Sequence, residues 1–300
     1  MTRARTKTAL LLAAALASGG CPRDTNVPVA VHRAAVSATP PARPAPAGRR
    51  LLEPGLWVER VRVAPDVAPV VGDGYLTLLR ADPARFDLTL ERAGSIDGAL
   101  TAEAWAASRG LVAAVNASMF SPDGRSVGLM VDGAAEPNGR DHPAYGGFLA
   151  FGARRAGAPA VTLPGRSCAG FDLGALRASY RAVVQNYRLL DCDGAAIPWR
   201  DEKVYSAAVV GVDRAGRVVF GHARSPFTMT VLALALARPA LEMAAAVFVE
   251  GGPEASLYAR SSGAALRAIG SYETGFRPDD SNTAYWPLPN VLGLRRRAAR

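Results

Sequence analysis

Three hundred residues, 49% hydrophobic and 20% charged, with 30 Gly and 22 Pro, describe a globular chain and exclude a disordered or fibrous one. The formal net charge of +9 resides at the ends: residues 1–50 carry +7, Arg295, Arg296, Arg297 and Arg300 carry +4, and residues 51–294 sum to −2. A nearly neutral body argues against a nucleic-acid partner, because such domains concentrate Lys and Arg on the folded surface that meets phosphates.

Residues 1–20 open with Arg3, Arg5 and Lys7, continue in the apolar run 9–17 (ALLLAAALA), and end in Ser18-Gly19-Gly20 before Cys21. This run is too short to span a bilayer as a helix and has the layout of a signal peptide. Cys21 after small residues resembles a bacterial lipoprotein cleavage site, where it would be the lipidated first residue; Ser18 departs from the aliphatic residue usual there, and plain secretion is the other reading. Residues 21–50 are rich in Pro and Ala without hydrophobic periodicity, as in a tether that holds a domain (51–300) off a membrane. Export into a bacterial cell envelope or periplasm would place Cys168 and Cys192 in an oxidising space, either as a disulfide closing a 24-residue loop or as two buried thiols. His32, His142 and His222 have no metal-ligand spacing, and no cofactor is expected. The adjacent acids Asp279 and Asp280 leave a divalent ion open, although such pairs usually form solvated turns.

In chain order, alternation and β-branched enrichment predict strands at 56–63, 75–79 and 86–91. A helix follows at 101–108, with Thr101 as N-cap and Gly110 at its end. Short strands are expected at 112–115, 127–131 and 148–151, and helical character at 176–184. Segments 207–212 and 217–222 flank Asp213-Arg214-Ala215-Gly216 as a hairpin. Ser225 and Pro226 are expected to open a helix at 227–237, and the fully apolar run 243–249 reads as a central strand. Few helices among many strands indicate an α+β fold with a mainly antiparallel sheet core.

Polar residues beside glycines at the ends of apolar strands are natural site positions, since the strand fixes the residue and glycine admits substrate. Two stretches fit: Val112–Phe120, which delivers Asn116 and is followed by Gly128–Gly133 with Asp132, and Val247–Tyr258, which delivers Glu250 into Gly251-Gly252. A carboxylate ending a buried strand suits acid–base work, so Glu250 ranks first, with Glu254 or Asp132 as its partner. The plainer alternatives are a structural carboxylate at 250 and, at 116, an Asn that ties a loop together.

These segments, in order, resemble the phosphodiester glycosidase family: Asn116-Ala117-Ser118-Met119-Phe120, Gly128 through Gly133, Gly146-Gly147-Phe148, Gln185 through Leu189, Val249-Glu250-Gly251-Gly252 with Ser256, and Pro289 through Leu292. The resemblance spans about residues 55–294. It implies a hydrolase acting between a sugar's anomeric carbon and a phosphodiester or related leaving group. Asn116, Phe120, Gln185, Gly251, Gly252 and Ser256 would then contact sugar or phosphate. The chain departs from the pattern at Glu250, where Asp is usual, in the position of Ser256, and at Ser206-Ala207-Ala208, where an arginine is missing. Arg188 or Arg224 could supply the missing charge, Arg224 from beside a helix start at Ser225.

The leading expectation is therefore an exported glycosidase with a carbohydrate or sugar-phosphate substrate, a membrane contact through a lipid anchor and no nucleic-acid partner. The alternative is a catalytically inactive, lipid-anchored glycan-binding or envelope-structural protein of the same fold. A serine hydrolase ranks lower because no Gly-x-Ser-x-Gly elbow occurs.

Overall fold

A computed structural model describes residues 49–298 except 67, 201, 262 and 263. The expected leader, Cys21 and nearly all of the Pro/Ala-rich tether lie outside the described residues. The chain begins with strands β1 (Arg50–Glu53), β2 (Leu56–Arg62), β3 (Tyr75–Ala81) and β4 (Phe86–Arg92), followed by helix α1 (Ala102–Arg109). Strands β5 (Ala113–Asn116), β6 (Met130–Asp132), β7 (Ala135–Asn138), β8 (Gly147–Ala153) and β9 (Val161–Thr162) lead to α2 (Leu173–Ser179) and β10 (Tyr180–Arg188). The hairpin β11 (Tyr205–Asp213) and β12 (Val218–Phe227), helix α3 (Met229–Leu236), β13 (Met243–Gly251), β14 (Ser256–Ser261), β15 (Ala264–Ile269) and β16 (Asn290–Arg296) complete it.

The strands form two sheets, and every pairing between them is antiparallel. The larger runs β1-β2-β3-β12-β11-β13-β10-β6-β7, with β8 also on β10 and β9 on β8; the smaller runs β15-β14-β5-β16-β4. Their inner faces meet over the main core, where Phe220, Val210, Val247 and Val249 oppose Val115, Leu257 and Leu292. The period-2 alternation of a strand sends Ala246 and Phe248 the other way, into a second core beneath α3 with Leu232 and Leu236. Helix α1 covers the outer face of the smaller sheet through Trp105, whose Nε1 donates to the Leu288 carbonyl at 2.8 Å. The fold is thus α+β with a mainly antiparallel sheet core, and β13, flanked by β11 and β10, is central as its apolar run predicts.

Local chemistry explains the helix ends. Thr101 Oγ1 accepts from Ala104 N at 3.1 Å, and Gly110 closes α1 at φ +64°, as the sequence indicates. Two expectations fail. Segment 176–184 is helical only to Ser179, after which the chain switches directly into β10; Tyr180, Val183 and Val184 favour the sheet, and the alanines around them disguise the boundary. Ser225 does not cap a helix, because β12 continues to Phe227 and its hydroxyl accepts from Gly74 N at 2.7 Å. Thr228 is the cap of α3, accepting from Val231 N at 3.3 Å.

Cys168 and Cys192 form a disulfide across 24 residues, linking the loop before α2 to the loop after β10. Closing a loop of this length stabilises the fold by about 3 kcal/mol in the chain-entropy description. Replacing both cysteines by serine should lower the unfolding free energy in urea by about that amount; an unchanged free energy would show that the crosslink merely decorates a fold fixed by its sheets.

Candidate active site

The chain passes from the larger sheet to the smaller one through the turn 252–255, between β13 and β14. Gly252 takes φ +64°, a left-handed conformation that disfavours a side chain, and a Cβ there would sit 2.5 Å from Glu273 Oε2 and 3.5 Å from Glu254 Oε2. Asn116, at the end of β5, clamps this turn with both ends of its amide: Nδ2 donates to the Glu254 carbonyl at 3.0 Å, and Oδ1 accepts from Ser256 N at 2.8 Å. Ser256 Oγ also donates to the Glu254 carbonyl, at 2.9 Å. The next carbonyl, Ala255, accepts from Gly270 N at 2.8 Å and meets His222 Nε2 at 3.1 Å.

Immediately before this turn the β11–β13 ladder skips a residue: Ala208 pairs with Glu250 and Val209 with Phe248, leaving Val249 as the extra residue. Such a bulge re-aims the side chain that follows it. Glu250 lines a cavity of about 370 Å³ together with Glu254, Glu273, Gly251, Met119, Phe120, Tyr187, Trp199, Tyr205, Met229 and Phe248. Tyr187 and Trp199 meet edge-on at 5.0 Å between centroids, and Tyr145 stacks behind Tyr187 at 4.2 Å. Trp199 is held against α3, its backbone N–H donating to Thr230 Oγ1 at 2.9 Å and its carbonyl accepting from that hydroxyl at 3.1 Å.

The electrostatics follow from this enclosure. Burial holds the Glu250 carboxyl well above the usual carboxylate range; the nearby charges of Glu254 and Glu273 add to the effect, and a hydrogen bond from Gly251 N to Oε1 at 3.0 Å opposes it. Burial likewise raises Glu254 and Glu273, and Lys203 partly offsets the rise at Glu273. Of the three, Glu250 holds its proton most strongly, and the other two give theirs up more readily, a difference that acid–base chemistry can use. Although three glutamates line the cavity, among the described residues no group of three or more His, Cys, Asp or Glu side chains is disposed to hold a metal ion.

The residues singled out from sequence separate into two sets. Glu250, Glu254, Phe120 and Gly251 line the cavity, and Gly252 shapes its turn. Asn116 and Ser256 hold that turn by hydrogen bonds to its backbone. Gln185 lies elsewhere, fully buried; its Oε1 accepts from Leu129 N and His142 N, and its Nε2 donates to Asp141 Oδ1 and to the His142 and Tyr145 carbonyls. Arg188 lies beside the disulfide and donates to Ser167 Oγ at 3.0 Å. Arg224 is not beside a helix start: it belongs to β12, donates to the Ile269, Asp280 and Asn282 carbonyls, and pairs with Asp280 at 2.7 Å. Asp132 pairs with Arg181 at the end of β6, away from the cavity wall. The residues missed are Glu273 and the aromatic wall of Tyr187, Trp199, Tyr205 and Phe248. A larger, open depression of about 890 Å³ near β1 and β16 is lined by charges that pair with each other, Arg296 with Glu53 and Arg297 with Asp87.

Asn116→Ala would leave Ser256 N without its acceptor and the Glu254 carbonyl with Ser256 Oγ alone, at a cost of about 1–3 kcal/mol in denaturant unfolding. A loss below 0.5 kcal/mol would show that the turn holds itself. His222, buried and held neutral, has its pKa lowered to about 4 chiefly by burial. The unfolded chain therefore takes up this proton before the native one does, and stability should fall by roughly 3 kcal/mol as pH drops from about 6.5 to 4. His222→Gln keeps a donor for Ala255 and should lose that component of the pH slope; identical slopes in the two proteins would refute it.

The comparisons agree with this fold. The family model described as phosphodiester glycosidase matches residues 109–295. The catalytic domain of a zebrafish N-acetylglucosamine-1-phosphodiester alpha-N-acetylglucosaminidase, auto-inhibited by its pro-peptide, superposes with a TM-score of 0.54 at 13% identity, covering 84% of this chain and 87% of that one. A hypothetical protein from Synechocystis gives a TM-score of 0.51 at 12% identity, covering 85% of this chain and 65% of that one. No curated relative matches the sequence. Identities this low speak to the fold alone, but the family model covers more than half of the sequence, and the chain belongs to the phosphodiester glycosidase family.

Proposed function

We propose that this protein is a hydrolase acting outside the cytoplasm on the bond between a sugar's anomeric carbon and a phosphodiester or related leaving group. The observation that carries the reading is Glu250: a carboxyl whose hold on its proton is strengthened by burial, opening with two further acids into a cavity walled by aromatic rings. The name of the zebrafish domain, a phosphodiester N-acetylglucosaminidase, supplies the substrate class by analogy.

In this mechanism Glu250 gives its proton to the leaving oxygen as the bond from the anomeric carbon breaks. Glu254 or Glu273, ionised, either attacks that carbon or takes a proton from the water whose oxygen forms the new bond. The net change is one water consumed and two products released. Positive charge developing on the sugar is stabilised by the carboxylates and by the faces of Tyr187 and Trp199. Asn116, Ser256 and His222 act as positioning residues, because their hydrogen bonds go to the turn that carries Glu254.

The disulfide favours an oxidising compartment. Among the described residues no helix is long and apolar enough to cross a membrane. We place residues 1–20 as a leader, Cys21 as a lipid anchor and 51–300 as the catalytic domain. The inactive, glycan-binding reading draws on one observation: among the described residues no arginine or lysine lines the cavity wall.

Glu250→Gln should cut turnover of α- or β-linked sugar 1-phosphodiesters and aryl glycosides by about 100-fold or more while circular dichroism stays unchanged. The wild-type rate should fall as pH rises through the elevated pKa of Glu250, because the protonated form is the active one. Equal turnover by wild type and variant would sink the assignment.

A further inference from the structure

Two residues that carry the family resemblance, Gln185 and Gly128, lie outside the cavity wall, and both close on Tyr145. Gln185 Nε2 donates to the Tyr145 carbonyl at 2.7 Å and to the His142 carbonyl at 2.8 Å, and its Oε1 accepts from His142 N at 2.9 Å. The turn 142–145 is thereby tied to β10 at both ends, and Tyr145 N closes it on the His142 carbonyl at 3.1 Å. Gly128 gives the ring its room, because a Cβ there would stand 2.7 Å from Tyr145 Cδ2. The result is a tyrosine only 2% exposed, fixed by bonds to its backbone and by packing. Its hydroxyl takes no part in this, since it makes no hydrogen bond among the described residues.

The Tyr145 ring is packed between two others, His142 and Tyr187, each at 4.2 Å between centroids. Tyr187 in turn meets Trp199 at 5.0 Å, and those two line the cavity while Tyr145 stands directly behind Tyr187. A strand leaves more than one χ1 rotamer open to a tyrosine, so the space behind Tyr187 has to be filled if its ring is to stay in the wall. Tyr145 fills that space. Burial strengthens the hold of the Tyr145 hydroxyl on its proton, and Tyr187 and Glu250 add to the effect; the residue is thus within electrostatic reach of the site and uncharged.

We infer that Tyr145 is a positioning residue for the sugar: its ring fixes the orientation of Tyr187 in the cavity wall, and Gln185 and Gly128 serve to hold that ring. This rests on the cavity being the substrate site of the proposed hydrolase, and it adds to that reading a determinant of sugar affinity that touches no substrate atom. The ring does the positioning and the hydroxyl does not. Proton transfer from Glu250 does not pass through Tyr145, so sugar affinity is set here and the bond-breaking step is not.

The test compares the full chain as wild type, Tyr145→Phe, Tyr145→Leu, Tyr187→Leu and the double variant Tyr145→Leu/Tyr187→Leu. KM and kcat are measured on the sugar 1-phosphodiester that the wild type hydrolyses fastest, and affinities for N-acetylglucosamine and glucose by calorimetry. Tyr145→Leu should raise KM and weaken sugar binding by roughly five- to tenfold, with kcat within about twofold of wild type. Tyr145→Phe keeps the ring and should stay within about twofold of wild type in every constant. Adding Tyr145→Leu to Tyr187→Leu should change KM by less than about twofold, because the first residue acts through the second. A Tyr145→Leu protein that melts at lower temperature with KM and sugar affinity unmoved overturns the inference, as do additive effects of the two leucine substitutions or a Tyr145→Phe protein as impaired as Tyr145→Leu. Should Tyr145→Leu not fold, Tyr145→Met is read against the same limits. Hydrolysis by the wild type with KM flat across the variants removes this inference alone. Sugar binding that follows the expected pattern without any turnover retains it and removes the proposed activity, and a wild type that neither binds nor hydrolyses removes both.

Discussion

The fold and the candidate site share one constraint, the passage of the backbone from the larger sheet to the smaller one between Glu250 and Ser256. A chain that leaves one sheet and enters another within five residues exposes carbonyls and N–H groups that no ladder satisfies. Asn116, Ser256, His222 and Gly270 satisfy them, each contributed by a different strand or loop. The two sheets are thereby locked at the point where the carboxylates emerge. Rigidity here would serve the proposed chemistry, because a proton donor must be held to within tenths of an ångström of the oxygen it serves. The bulge at Val249 belongs to the same device: it breaks register where the buried strand must stop filling the core and present a functional group.

Legibility in the sequence followed the range of the interactions. Thr101 and Gly110 announce α1 because capping is decided within four residues. The turn Asp213–Gly216 announces its hairpin for the same reason, with Asp213 Oδ1 accepting from Ala215 N and Arg217 N. Glu250 stood out because an acid at the end of a wholly apolar run is a local anomaly. Glu273 carries no such mark: it sits in a polar loop, and only the folding of that loop against Gly252 brings it to the cavity. Tyr187, Trp199 and Tyr205 each read as ordinary sheet or loop aromatics, since their joint wall exists only after β10, β11 and α3 are assembled. Arg224 was misplaced through Ser225-Pro226, whose cap-like chemistry was overridden by pairing of β12 with β3 and β11.

The family resemblance and the residue chemistry also divide the motifs in an instructive way. Several segments that carry the resemblance prove to be architectural. Gln185 spends five hydrogen bonds on Leu129, Asp141, His142 and Tyr145, drawing the 141–145 loop onto β10. Gly128 packs so close to the Gln185 backbone that a Cβ would fall 2.5 Å from its carbonyl oxygen. Residues of this kind build the frame on which the cavity wall is mounted.

Three carboxylates around one cavity make an arrangement the folded protein does not favour on its own account. Each is raised by burial, and Glu250 and Glu254 are raised further by neighbouring acids, so the native state at neutral pH retains proton-binding capacity that the unfolded chain lacks. Removing charge from the group would stabilise the fold; so would a cation placed among the carboxylates. The positively charged sugar of a glycosidic transition state is such a cation, and it forms only during reaction. In the proposed hydrolysis, like-charge repulsion that weakens the resting protein would become attraction as the bond breaks, and this difference between the resting and transition states would lower the barrier. The hydrogen-bonded turn beneath Glu254 is what allows the repulsion to persist, since it holds the backbone in place where a looser loop would let the acids separate into solvent.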